Sequence, residues 1–318
     1  MKKLNYYLSS LLWRLTPSFI LREVTKSKLK CSQKHSKKAP NQDEWNYIQE
    51  RVSYYNKLMQ AFTPDVRSHF SSVRGFKKTG GSAYYFDLLK VIKGFSPSLT
   101  FNYINGDVVD VPCTPSFLKS RPIEGDNQNS VLLKLNAVRH YLFVDDNIPY
   151  AEKKDHIVWR GTGFRPNRRT LLETLFDHPR CNIGRIDSQD RDQLHYILPK
   201  MSIEEQLQYK FILSLEGKDV ATNLKWIMSS NSLCFTPKLK YETWFMEGKL
   251  KAGIHFVEVK DDFSDLIQKM DYYLEHPDQA QAIINNANQW VEQFKDPKRE
   301  RLISLLVAKK YFEKSGQM

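Results

Sequence analysis

The 318 residues are 41% apolar and 13% aromatic, enough to bury a sizeable core, which excludes a disordered chain and leaves room for two globular units. The formal charge is +12, but ten lysines and arginines against the single acid Glu23 fall within residues 1–40, so nine of those charges belong to one terminal arm rather than to the folded face a duplex binder needs. Four cysteines without C-x-x-C spacing, Cys31, Cys113, Cys181 and Cys234, argue against a disulfide framework or a zinc cluster and for a reducing compartment.

In the arm, Leu4, Leu8, Leu11, Leu12 and Leu15 recur as one helical stripe, flanked by Tyr6, Tyr7 and Trp13. Arg14 and Pro17 interrupt the unbroken apolar run that a secretory signal needs, and the stripe is too short to span a bilayer. A basic amphipathic helix followed by Lys26, Lys28, Lys30, Lys34, Lys37 and Lys38 suits an anionic membrane surface. A helix seated on the protein's own core carries the same pattern, and both readings stay open. Helical spacing returns at Trp45, Ile48, Val52, Tyr55 and Leu58, and Gly80-Gly81 breaks the next segment. Residues 98–104 read as a strand ended by Asn105-Gly106, so Asp107 stands just past a strand end.

From residue 131 the order alternates. A Leu/Val-rich stretch runs to Val144, and a strand over 156–159 leads into Arg160-Gly-Thr-Gly163. Then come a helix over 169–176, a strand over 181–186, a helix over 202–208 opened by a Ser-x-x-Glu capping box, and a strand over 210–215. A helix over 221–230, strands over 233–236 and 254–259, and helices from Phe263 and Asp278 complete the pattern. Such alternation predicts a parallel α/β sheet, in which ligands bind beyond the carboxyl ends of the strands. Arg160 and Glu216 stand at those ends.

In the stretch Glu216-Gly-Lys-Asp-Val-Ala-Thr-Asn-Leu-Lys-Trp226, a helix beginning near Ala221 would aim free backbone N–H groups at the loop, where a diphosphate fits. Thr222 and Asn223 add side-chain donors and Lys218 and Lys225 add charge; an ordinary capped turn has the same spacing. Arg160-Gly-Thr-Gly-Phe-Arg-Pro-Asn-Arg-Arg169 places four arginines in ten residues, suited to bidentate phosphate contacts or to a solvated turn. Asp107 reads as a general base or as a turn former. Asp190-Arg-Asp192 has the form of an acid pair holding a divalent cation on a nucleotide-sugar diphosphate, the basis of a metal-dependent alternative, although its setting reads as an exposed acidic loop. There is no H-E-x-x-H, G-x-S-x-G or Walker pattern, which leaves phosphate-centred chemistry. The rival from another class, a non-enzymatic nucleic-acid-binding protein, would use the arm with Tyr84 and Tyr85.

Three blocks in this order, Val158-Trp-Arg-Gly-Thr-Gly-Phe-Arg165, Tyr209 to Trp226, and Tyr241-Glu-Thr-Trp-Phe245 with Gly253-Ile-His-Phe-Val-Glu-Val-Lys260, resemble glycosyltransferase family 90. That family includes bacterial lipopolysaccharide core glycosyltransferases of the LpsA type and eukaryotic protein O-glucosyltransferases, and the resemblance covers roughly residues 98–295. It implies an α/β fold of GT-B type, two Rossmann-like domains facing a central cleft. After the arm of residues 1–40, residues 41–150 are expected to form the acceptor-side domain, with the C-terminal helix 296–318 packing back on it, and residues 151–295 the donor domain.

The resemblance further implies inverting, metal-independent transfer of a hexose, glucose or galactose, from a UDP-sugar to a lipid-linked lipopolysaccharide or lipooligosaccharide core acceptor, with no cofactor. Asp107 falls on the family's catalytic aspartate when Tyr103-Ile-Asn-Gly-Asp107 is laid on its motif. The implied donor site comprises Arg160, Gly161, Thr162, Arg165 and Arg169 with Glu216, Gly217, Lys218, Asp219, Val220, Ala221, Thr222, Asn223 and Lys225. Eukaryotic members carry an arginine on the diphosphate where this chain has Asn223, so Lys218, Lys225, Arg165 or Arg169 must supply that charge. They also carry a secretory signal and disulfides, which are not expected here. The resemblance therefore points to the bacterial branch, peripheral on the cytoplasmic face of the inner membrane, with residues 1–40 on anionic lipid and no nucleic-acid partner.

Overall fold

The computed structural model describes residues 2–35, 42–67, 69–188 and 191–318. In chain order its helices and strands are α1 (Lys2–Leu15), α2 (Ser18–His35), α3 (Gln42–Tyr55), β1 (Phe70–Ser72), α4 (Ser82–Ile92), β2 (Thr100–Tyr103), β3 (Ser116–Leu118), β4 (Ser120–Pro122), β5 (Ser130–Leu132) and α5 (Ala137–His140). They continue with β6 (Lys154–Gly161), α6 (Pro166–Leu175), β7 (Cys181–Arg185), α7 (Ile203–Gln206), β8 (Tyr209–Leu213), α8 (Leu224–Met228), β9 (Leu233–Thr236), β10 (Tyr241–Thr243), β11 (Val257–Glu258), α9 (Leu266–Glu275), α10 (Pro277–Glu292) and α11 (Pro297–Lys314). The chain forms two compact units, one of Met1–Arg139, Tyr241–Phe245 and Phe294–Met318, the other of His140–Lys240 and Met246–Gln293.

The first unit is built on a sheet in the order β1-β2-β3-β5, with β1 antiparallel and the other three parallel. Phe101, Phe117, Val131 and Leu132 are fully buried in it, and α11 lies against the same core, the Tyr311 ring 4.3 Å from that of Phe117. The segment Tyr241–Phe245 completes this unit. Its strand β10 pairs antiparallel with β4, and Arg121 donates to Glu242 at 2.7 Å, both side chains buried. Trp244 stacks on Tyr55 at 3.9 Å and donates its indole N–H to Glu300, which also takes Arg51 at 2.5 Å. Buried charges persist only when paired and hydrogen-bonded, so the Tyr-Glu-Thr-Trp-Phe block is a structural pin.

On the same unit, α1 packs against α4 through its polar and aromatic side. Tyr6 Oη donates to Asp87 at 2.6 Å, and Lys93 Nζ donates to the carbonyls of Arg14 (2.6 Å) and Thr16 (2.8 Å), satisfying the helix C-terminus. The leucine stripe faces the other way: Leu12 and Leu15 are 68% and 70% exposed, and Phe19, Ile20 and Val24 of α2 extend that outward face. The helix is thus seated on the protein, as one of the two readings had it, but through its other side, and the leucine stripe is not the face that packs. Tyr84 and Tyr85 are buried, so they offer no platform for stacked bases.

The second unit holds a five-stranded parallel sheet in the order β11-β9-β8-β6-β7. Ile157, Phe211, Leu213, Leu233 and Phe235 fill it, and Leu171, Leu172, Leu266, Met270 and Ile283 from α6, α9 and α10 join its core. These strands are buried on both faces, which is why they read as continuous apolar runs. The capping box is formed, with Glu205 N–H donating to Ser202 Oγ and Ser202 N–H to the Glu205 carboxylate. Helix α6 begins at Pro166, three residues before the predicted start, because proline suits the first helical position.

Two predicted elements shrink. The helix expected over 221–230 is the five-residue α8. Asn223 turns back to β8, its Nδ2 donating to Leu213 O at 3.0 Å, and Ser229 and Ser230 hydroxyls bond the carbonyls of Trp226 and Ile227 at the other end. The strand expected over 254–259 reduces to Val257–Glu258, preceded by a turn in which Gly253 has φ +74°, a left-handed conformation that glycine adopts without strain.

Candidate donor and catalytic site

Strand connections fix where a ligand can sit on the second unit. From β6 the chain passes to the edge strand β7, then returns across β6 to β8 and continues outward to β9 and β11. The direction of winding therefore reverses between β6 and β8, and in open parallel sheets the crevice beyond the strand ends at such a switch point is the binding site. β6 ends on Arg160 and Gly161, and the turn after it opens with Thr162; the turn after β8 opens with Ser214, Leu215 and Glu216.

One arginine laces these turns together. Arg168, in the first turn of α6, donates through Nη1 to Thr162 O (3.1 Å) and Oγ1 (2.8 Å) and through Nη2 to Leu215 O (3.1 Å), with its guanidinium 5.8 Å from the Trp159 ring centre. Beside it Asn167 Nδ2 donates to Glu216 O at 3.0 Å, and Glu216 Oε1 accepts the Lys240 backbone N–H at 3.1 Å. Gly161 has no room for a side chain, since a Cβ there would lie 2.5 Å from the Trp159 ring. A Cβ on Gly217 would lie 3.2 Å from the Arg168 guanidinium, so the glycine there leaves the arginine its place.

The loop that follows is largely backbone. Gly217 N–H donates to Asp219 O at 3.0 Å; Asp219, Val220 and Ala221 are buried, Thr222 is half-buried and Lys218 is exposed. The backbone N–H groups of Lys218, Val220, Ala221 and Thr222 meet no acceptor among the described residues. Unpaired backbone N–H groups in a turn are the kind of donor that binds anions. A dipole contribution from α8 does not add to them, because five residues align too few peptides.

The structure redistributes the charges expected here. Arg160 runs along the sheet edge, donating to Asn182 O (2.8 Å) and Oδ1 (2.7 Å), Trp159 O and Pro199 O (3.0 Å each), and burial pulls its guanidinium below the ordinary value. Lys225 is fully buried and ion-paired with Glu247, itself fully buried, so it does not present its ammonium to the loop. Asn223 is tied to Leu213 and to the Ser214 hydroxyl. Near the turns Lys218 and Arg169 are exposed and Arg165 half-exposed, the last 4.9 Å from the Phe164 ring. Arg168 was not among the expected site residues; its signal was its place two residues after Pro166 in the arginine-rich turn. Asp190 and the Asp192 side chain lie outside the described residues.

On the first unit, Asp107 follows β2 in a turn where Gly106 takes φ +105°. Lys119 Nζ donates to its Oδ1 at 2.6 Å and Tyr84 Oη to the same oxygen at 3.2 Å. Burial pushes the carboxyl up, but Lys119, Tyr84 and Arg139 outweigh it and hold the group below the ordinary aspartate value. Asp107 is thus a half-exposed, ionised carboxylate. Lys119 and Tyr84 were not foreseen as its partners.

The family model for glycosyl transferase family 90 matches residues 133–298, which contain both turns. The chain is 46% identical over 266 residues to an O-glucosyltransferase, LpsA, of Dichelobacter nodosus, covering 83% of this chain and 82% of that protein. The chain belongs to glycosyltransferase family 90. It is a glycosyltransferase. Protein O-glucosyltransferase 2 of Danio rerio is more distant, 24% identical over 146 residues, 42% of this chain and 28% of that one. The match to the family model begins after Asp107, so the transferase's switch-point turns lie inside it and the carboxylate lies before it.

Proposed function

We propose that the chain transfers a hexose from a UDP-sugar, with inversion and without a metal, to a lipopolysaccharide or lipooligosaccharide core acceptor, as a GT-B enzyme whose first unit supplies the base and whose second binds the donor. One observation carries the donor assignment: the turns after β6 and β8, locked by Arg168 at the switch point, open onto the unpaired N–H groups of residues 218–222. In this reading those N–H groups and Lys218, Arg165 and Arg169 receive the diphosphate, while Arg160 and Lys225 shape the site from behind. The name of the Dichelobacter relative favours glucose over galactose.

Asp107 takes the proton of the acceptor hydroxyl as that oxygen bonds to the anomeric carbon. The bond from that carbon to the diphosphate oxygen breaks, and its electron pair leaves with UDP. Fixed cations and N–H groups stabilise the charge that develops on the leaving group. A thermal-shift screen against nucleotide sugars tests the reading: selective stabilisation by UDP-hexoses supports it, and equal response to all nucleotides sinks it.

The same reading sets the enzyme on the cytoplasmic face of the inner membrane. Among the described residues no helix is long and apolar enough to cross a bilayer. Each leucine moved out of water contributes about 1.5–3 kcal/mol, and five stand outward on α1 beside Lys3 and Arg14, with Lys26, Lys28 and Lys30 on α2. The double variant Leu8→Gln/Leu12→Gln is expected to lower partitioning onto phosphatidylglycerol vesicles by about tenfold or more while transfer to a soluble acceptor persists. Unchanged sedimentation with vesicles would reject the surface.

A further inference from the structure

Asp107 is gripped by one oxygen. Lys119 and Tyr84 both donate to Oδ1, and Oδ2 takes no hydrogen bond from the described residues. The two donors come from the buried side: the Lys119 side chain is 1% exposed, whereas that of Asp107 keeps 37%. Each donor is itself anchored. Lys119 lies between β3 and β4, with Leu118 and Ser120 fully buried on either side, and Tyr84 is itself buried on α4. A pair serving packing alone would hide both charges; here the cation is hidden and the carboxylate is presented.

We infer that Lys119 and Tyr84 are positioning residues that clamp Oδ1 of Asp107, leaving Oδ2 as the atom that receives the acceptor's proton. The inference rests on the reading of Asp107 as the base. A carboxylate free to rotate offers either oxygen in many orientations; two donors on Oδ1 remove that freedom and keep Oδ2 aimed outward. The acceptor hydroxyl gives its proton to Oδ2, its oxygen forms the new bond to the anomeric carbon, and the diphosphate departs with the electron pair of the broken bond.

The charged and titratable groups facing Asp107 are Lys119, Tyr84 and Arg139. An adjacent cation lowers an aspartate, so removing Lys119 raises the group that must be ionised for activity, and the acid limb of the rate profile moves to higher pH. The test is the pH dependence of kcat/KM for the full chain and for Lys119→Met, Lys119→Arg, Tyr84→Phe and Asp107→Asn. Lys119→Met is expected to shift the acid limb up by about one pH unit and to lower kcat with the donor KM unchanged. Lys119→Arg is expected to restore much of both, and Tyr84→Phe to shift the limb the same way by less.

An unmoved acid limb in folded Lys119→Met and in Tyr84→Phe, with Asp107→Asn inactive, overturns the clamp but leaves Asp107 as the base. Turnover retained by Asp107→Asn overturns the base reading itself. Should Lys119→Met not fold, Tyr84→Phe decides, since it removes a single hydroxyl and keeps the ring.

Discussion

Replacing Asp107 with asparagine is expected to lower transfer by a factor of about 10²–10⁴ while UDP-sugar binding survives. Asparagine keeps the shape of the side chain and an oxygen that still accepts from Lys119 and Tyr84, so the turn at Gly106 has no cause to rearrange. What it lacks is basicity. The acceptor hydroxyl then has to attack with its proton in place, and the barrier rises by the contribution general-base catalysis makes. Because the donor turns belong to the second unit, the variant separates binding from chemistry: steady-state transfer measures the loss, and nucleotide-sugar titration of the same sample measures what remains. Retained turnover would remove Asp107 from the reaction.

The second large effect is on stability. Glu247→Ala leaves the fully buried Lys225 ammonium without its carboxylate, and breaking a buried pair in this way costs about 3–5 kcal/mol. For a unit of this size that corresponds to a fall in melting temperature of roughly 10 °C. Lys225 stands on α8, which follows the donor loop and packs on α10 and β9, so local melting there should also release the loop. Replacing both partners together, Lys225→Met with Glu247→Met, removes the orphaned charge and is expected to recover most of the stability. A single variant as stable as the parent would mean that the pair is not buried as described.

Much of this was legible in the residues because local and long-range signals agreed. Parallel strands covered on both faces have to be apolar throughout, so β6, β8 and β9 announce themselves, and Ser202 with Glu205 marks a helix start without reference to the rest of the fold. The carboxyl ends of two such strands then locate the site. The partners of individual side chains were not legible. Arg160, Arg168 and Lys225 are all cations near the same turns, and spacing does not distinguish one spent on the sheet edge, one lacing two loops and one buried on Glu247. That choice depends on Asn182, Leu215 and Glu247, up to tens of residues away. Asn223 illustrates the same point: its position suggested a side-chain donor to phosphate, and it bonds instead to Leu213 and Ser214.

The arm shows a different limit. Leucine periodicity fixes which side chains share a face but not which way that face points, since lipid and protein core select the same pattern. The hydrogen bond from Tyr6 to Asp87 and the Lys93 cap turn the polar side of α1 inward, and the leucines are left outside. No feature of the stripe itself encodes that orientation.

The most direct measurement is a titration of the full chain with UDP-glucose followed by melting temperature. A UDP-hexose transferase is expected to show a saturable rise, equivalent to about 2.7 kcal/mol when the ligand reaches 100 times its Kd, with UDP giving a smaller response and ADP-glucose little. No rise with any UDP-sugar at millimolar concentration would contradict the donor site at the β6 and β8 turns.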